Sequence, residues 1–313
     1  MECHVNNQQD EWSNNDWLAD HSGYTGISTF WRAPHTRDLS GVELAVYGIP
    51  YDLSTFNRSG TRFGPRAIRD ISCYAGIFAA CWPHTYELKS AFNLIDYGDV
   101  SFLPGKTDSM LASSEHLIRE LIKHNISTLG LGGDHLVSYP ALKAHAEKHG
   151  KLSLIHFDAH CDTADMPYLT HGSMFYYAAK EGYIDPETSV QLGIRTTNPG
   201  TLNTNVISAP ECLSLGGKAV SEKIRHIVGQ RKCFISIDVD GMDPSHTPGT
   251  GTPVPGGLTS ALQREILWGL VGINAVGADV VEVSPPYDVS QVTALTAAII
   301  GFDLLYILGA ARK

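Results

Sequence analysis

The sequence predicts an α/β protein: a mostly parallel sheet covered by helices on both faces. Three observations point there. Short apolar runs alternate with longer segments whose apolar residues recur at helical spacing. The short runs are continuously apolar rather than alternating in and out, as in strands buried on both faces. Finally, clusters of Asp and His stand where those runs stop, and open α/β sheets gather their ligands at the carboxyl ends of strands.

Residues 44–49 (Leu-Ala-Val-Tyr-Gly-Ile) read as the first buried strand. A long polar turn follows, and then Pro65, a residue suited to the first position of a helix. Residues 93–96 form a short second strand. Met110, Leu111, Leu117, Ile118, Leu121 and Ile122 place a helix over 108–124. Strands are expected at 127–131, 152–157, 189–194, 233–237 and 275–281, and helices at 139–149, 218–228, 258–271 and 292–310. No repeat, low-complexity tract or Ser/Gly linker appears after residue 40. One domain is therefore expected over residues 25–313, preceded by a polar arm over residues 1–24 that carries Trp12 and Trp17.

With 23 Lys and Arg against 33 Asp and Glu, the formal charge is 23 − 33 = −10, which argues against nucleic acid or an anionic membrane as partner and is compatible with a cationic substrate. No run of about 20 apolar residues marks a membrane span, and the N-terminus lacks the basic and apolar regions of a signal peptide. The six cysteines (3, 73, 81, 161, 212 and 233) form no CxxC pair and are read as reduced thiols of a cytoplasmic protein.

The chemistry gathers in three stretches: Gly132-Gly133-Asp134-His135, Asp158-Ala159-His160-Cys161-Asp162, and Asp238-Val239-Asp240-Gly241-Met242-Asp243. In an extended backbone, positions i, i+2 and i+4 share a side, so Asp158, His160 and Asp162 are expected to converge while Cys161 turns into the core. His135, Asp158, His160, Asp162, Asp238 and Asp240 make a set of four carboxylates and two imidazoles, a donor set suited to Mn²⁺ rather than to structural zinc. Four carboxylates at close quarters need cations between them. Asp134 and Asp243 read as turn or supporting residues.

Together with Pro248-Gly249-Thr250-Gly251-Thr252-Pro253 and Glu282-Val283-Ser284-Pro285, these motifs resemble the ureohydrolase (arginase/agmatinase) family from about residue 45 to residue 306. The resemblance implies a three-layer α-β-α arginase-like fold, assembly as a homotrimer or homohexamer, and hydrolysis of a guanidino compound to urea and an amine with two Mn²⁺ per subunit. By motif, His135, Asp158, Asp162 and Asp238 would hold one ion. Asp158, His160, Asp238 and Asp240 would hold the other, with Asp158 and Asp238 bridging. His171 matches the family's proton-shuttling histidine, and Glu282 the residue that grips the guanidinium.

The loop 163–170 is short, has no Lys or Arg to meet a carboxylate, and lacks the Asn and Ser of the arginase pattern; its Asp165 is expected to help hold a cationic tail. Residues 171–186 resemble bacterial agmatinases. Agmatine, giving putrescine and urea, is therefore the expected substrate. Guanidinobutyrate, which would need a cation such as Arg195, and guanidinopropionate are the alternatives, ahead of arginine. Thr170, Cys161 and Met242 depart from the agmatinase pattern. A catalytically silent regulator of the same fold would have lost a ligand or His171, and none is lost. A two-metal phosphoesterase would call for a Gly-rich phosphate cradle or a basic cluster, and neither is present.

Overall fold

The computed structural model describes residues 25–75, 82–197 and 202–313. The polar arm expected over residues 1–24 lies outside them. Eight strands form one sheet: β1 (Leu44–Ile49), β2 (Leu94–Asp99), β3 (Ser127–Gly132), β4 (Ser153–Phe157), β5 (Val190–Ile194), β6 (Asn205–Ser208), β7 (Cys233–Asp238) and β8 (Ala275–Val281). Their order is β2-β1-β3-β8-β7-β4-β5-β6, and every pairing is parallel. Every residue of β1, β3, β4, β5 and β7 is buried, which accounts for the unbroken apolar runs.

The helices are α1 (Gly64–Ala75), α2 (Leu88–Ala91), α3 (Thr107–Lys123), α4 (Ser138–His149), α5 (Met174–Lys180), α6 (Ala209–Val228), α7 (Ser260–Gly269) and α8 (Val292–Ala310). Two apolar clusters show which face each covers. Ile68 of α1, Ile224 of α6, Ile266 of α7 and Leu305 of α8 pack with Leu129, Ile155 and Ile235 on one face. Ile118 of α3, Leu142 of α4 and Phe175 of α5 pack with Ala45, Leu154 and Phe234 on the other. The result is the expected three-layer α-β-α architecture.

The chain fills the sheet outwards and then returns. Strands β1–β3 build one side and β4–β6 the other, and β7 and β8 close the middle. The carboxyl ends of β3, β8, β7 and β4 thus lie side by side, although His135, Asp158, Asp238 and Glu282 are far apart in sequence.

Two local expectations are corrected. β6 and α5 were not anticipated, because Asn205-Val206-Ile207-Ser208 offers only two apolar residues and α5 follows directly on a Gly-Ser pair. α6 begins at Ala209 rather than at 218: Ser208 accepts a hydrogen bond from the Glu211 amide, and the helix runs through a break at Gly216, where φ is +78°. α8, expected as a helix, is long and apolar enough to cross a membrane by length and composition. It is instead a core helix, with Phe302, Leu304 and Leu305 fully buried, and its single carboxylate, Asp303, meets Arg264 at 2.7 Å and His84 at 3.0 Å.

Candidate metal centre

β3 stops at Gly132, and the chain turns at Gly133, where an added Cβ would stand 1.8 Å from the Tyr51 carbonyl oxygen. Only glycine allows that approach, and it delivers His135 onto the sheet edge. Asp134 is structural, as expected. Its Oδ1 accepts from the Leu136 amide and its Oδ2 from the Ser54 amide, 80 residues away. Asp243 likewise ties a turn, accepting from the Ser245, Gly256 and Gly257 amides.

His135 is fully buried. The Ser236 hydroxyl donates to Asp279 Oδ1 at 2.7 Å, so it accepts from His135 Nε2–H at 2.9 Å. That leaves the lone pair on Nδ1, which has no hydrogen-bond partner. Three carboxylate oxygens face it: Oδ2 of Asp162 at 3.0 Å, of Asp158 at 3.2 Å and of Asp238 at 3.3 Å. A second group lies alongside. Asp158 Oδ1 and Asp240 Oδ2 each stand 3.2 Å from His160 Nδ1. Asp158 thus turns one oxygen to each group, the arrangement a bridging ligand needs. Asp238 turns only Oδ2 to the first group; its Oδ1 accepts the Asp240 amide at 2.8 Å.

All six expected ligands therefore meet. Burial, followed by the charges of Asp240 and Asp158, pushes Asp238 well above the carboxylate range. Burial and then the charge of Asp158 raise Asp162. A ring nitrogen faced by three carboxylates, two of which (Asp238 and Asp162) are pushed upward by burial and mutual repulsion while neighbouring histidines hold Asp158 down against burial, is a cluster short of positive charge. Divalent cations bound by carboxylate and imidazole fit it, and no thiolate takes part. By this donor set the cluster is a candidate site for divalent metal ions.

The route by which Asp158, His160 and Asp162 converge differs from the expected extended strand. β4 ends at Phe157, His160 folds back so that its amide donates to Asp158 Oδ1 at 2.6 Å, and Asp162 adopts φ +51°. The side-to-side alternation fails once the strand has ended. Cys161 is buried, 5% exposed, and it also borders a cavity of about 340 Å³ lined by Phe56, His160, Asp162, Thr163, His171, Thr196 and Thr252.

His171 stands on that cavity wall, and its ring is fixed from both ends. Nδ1–H donates to Glu282 Oε1 at 3.0 Å, and Nε2 accepts from the Phe56 amide at 3.1 Å, with the Phe56 ring edge-on at 4.6 Å. Burial opposes a charge on His171, while the hydrogen bond and charge of Glu282 raise the group to about 9; the charged ring would have to give up the Phe56 amide at Nε2. Glu282 is 1% exposed, at φ +65°. Its Oε1 also accepts from the His135 amide at 2.9 Å, while Oε2 is buried with no partner.

Asp165 is not brought to the cavity. It is exposed, and it faces the Tyr176 hydroxyl. Arg195 is fully engaged elsewhere, donating to the carbonyl oxygens of Gly193, Asp240, Gly241, Met242 and Val254. Sequence reasoning missed Phe56, Ser236, Asp279 and His156. A histidine inside the apolar run of β4 was the available signal for the last of these.

Asp240 allows a test of the charge argument. Burial, and then Asp158, lift it to about 7. A carboxyl whose folded value exceeds its unfolded value gives up stability as pH rises from about 4 to about 7. In metal-free protein, Asp240→Asn is expected to raise the unfolding temperature above about pH 7. If Asp240 helps to hold a divalent ion, adding Mn²⁺ should reverse the order. Thermal unfolding with and without chelator checks both halves, and a variant destabilised under both conditions would contradict the charge argument.

A model of the arginase family matches residues 42–306. An agmatinase of Chromobacterium violaceum is 45% identical over 289 residues, covering 91% of this chain and 89% of that protein. Among solved structures, a hypothetical agmatinase from Burkholderia thailandensis superposes with a TM-score of 0.90 at 45% identity, covering 93% of both chains. A proclavaminate amidino hydrolase from Streptomyces clavuligerus gives 0.89 at 38% identity, covering 93% of this chain and 99% of that one.

Proposed function

The chain belongs to the arginase family, and from that premise we propose that it hydrolyses agmatine to putrescine and urea, using two Mn²⁺ ions held by His135, Asp158, His160, Asp162, Asp238 and Asp240. When bound, such a pair of ions supplies a water acidified towards neutral pH and positive charge to stabilise the transition state. The side chains do the rest. Glu282 Oε2, buried and without a partner, accepts N–H bonds from the guanidinium and fixes its plane. His171 exchanges a proton with the departing amine. We assign that exchange to Nε2, because the bond it must release comes from Phe56, a 56% exposed loop residue, whereas Nδ1 is held by buried Glu282.

The observation that favours agmatine is the state of Arg195. The similarity to proteins named agmatinase and proclavaminate amidino hydrolase means that this frame accommodates more than one guanidino tail. A tail ending in a carboxylate needs a cation. The described residues lining the cavity include no Lys or Arg, and the nearby Arg195 is saturated by backbone carbonyls. A tail ending in an ammonium meets no such lack. Urea release from agmatine, guanidinobutyrate, guanidinopropionate and arginine, with Mn²⁺ added, should give agmatine the highest kcat/KM. Preference for any of the carboxylate-bearing compounds would overturn the assignment.

His171→Ala is expected to bind both ions and to lose turnover by about 10²–10⁴-fold. Metal counting beside the urea assay separates the two effects, and an active variant would remove His171 from the mechanism.

A further inference from the structure

His156 belongs to neither ligand group in the reading above, yet its ring reaches them: Nε2 lies 2.8 Å from Asp158 Oδ2, and the side chain is fully buried. Its neighbours fix its tautomer. Gln191 Nε2 lies 2.6 Å from the Cys161 carbonyl oxygen, which can only accept, so this end of the amide is the nitrogen. The other end, Oε1, accepts from the Thr204 hydroxyl at 3.0 Å, in agreement. The second N–H of the same Gln191 nitrogen meets His156 Nδ1 at 3.0 Å. Nδ1 therefore carries the lone pair, and Nε2 carries the proton that points at Asp158.

We infer that the line Thr204–Gln191–His156 is a positioning device for the bridging carboxylate of Asp158, and that His156 acts as a fixed donor rather than as a seventh ligand. The inference rests on the proposal that the cluster holds two divalent ions. Asp158 receives one donor on each oxygen: His156 Nε2–H on Oδ2 and the His160 amide on Oδ1. Each oxygen keeps a lone pair for its own group, Oδ2 beside His135 and Oδ1 beside His160. Phe175 stands edge-on to the rings of both His156 and His135, at 4.6 and 5.2 Å, and holds their planes. Without the His156 donor, the carboxylate is free to turn towards one group and desert the other. For His156 to ligate directly, its proton would have to move to Nδ1, against the Gln191 N–H.

The test uses the full chain, dialysed against a Mn²⁺ series, with bound metal counted by mass spectrometry beside urea release and thermal unfolding. Wild type should bind two ions; if it binds fewer, the proposal for the centre fails, independently of His156. His156→Phe keeps an aromatic ring against Phe175 and deletes the donor. It should bind one ion as wild type does and the other about 10–100-fold more weakly, with kcat falling and KM for agmatine little changed. His156→Gln can place an amide N–H near the position of Nε2 and should recover most of the affinity. If a folded His156→Phe protein binds both ions as wild type does, or if Gln restores nothing relative to Phe, the positioning role is wrong.

Discussion

Asp158→Asn should bind one Mn²⁺ instead of two and lose turnover by about 10³-fold or more. The reason lies in what surrounds the carboxylate. His156 Nε2–H donates to Oδ2 and the His160 amide donates to Oδ1. Whichever way an asparagine amide is turned, its NH₂ faces one of these donors. The variant loses the charge shared by both groups and gains a buried clash of donors. Breaking one member of a buried ionic network costs roughly 3–5 kcal/mol, and each 1.36 kcal/mol in a barrier is about tenfold in rate. Metal counting and urea release decide the matter. Two tightly bound ions with turnover close to wild type would show that Asp158 does not bridge.

Glu282→Gln should behave differently, keeping both ions and still losing about 10²–10³-fold in kcat/KM. Oε1 serves two donors, the His135 amide and His171 Nδ1–H, and a carboxamide oxygen can serve them equally well. The amide NH₂ then occupies the place of Oε2, where a guanidinium presents only N–H groups. Removing one charge from a buried, hydrogen-bonded pair costs about 2–5 kcal/mol. Because Glu282 touches His135 through its backbone and not through the ligand nitrogen, metal content should hold. A variant that binds agmatine and turns it over as wild type does would show that Oε2 is not the guanidinium acceptor. The contrast between the two variants separates holding the ions from holding the substrate.

Most of the frame and all six proposed ligands were legible in the sequence, because buried parallel strands are continuously apolar and their ends carry the chemistry. His135, Asp158 and Asp238 were found by that rule alone. Cys161 is buried as expected, but that it also borders the cavity was not foreseen, because period-two alternation was extended past Phe157, where the backbone stops being extended. Asp165 was misplaced because a charge near a site in sequence says nothing of which way its loop faces. Phe56 was invisible: it reaches His171 across 115 residues, through a backbone amide that any residue would carry. Ser236 and Asp279 were invisible for a related reason. They are ordinary strand residues until the order β8-β7 places them beside His135.

The C-terminal helix has a consequence for biogenesis. A segment as apolar as α8 would favour lipid if it met a bilayer before the sheet had formed to receive it. Asp303 lies close to the middle of that segment, where an aspartate adds about 2.5–3.5 kcal/mol to the cost of insertion. The carboxylate that discourages the bilayer then finds Arg264 and His84 once the fold is complete. One side chain thus raises the cost of burying the helix in lipid and, in the fold, ties it to Arg264 and His84.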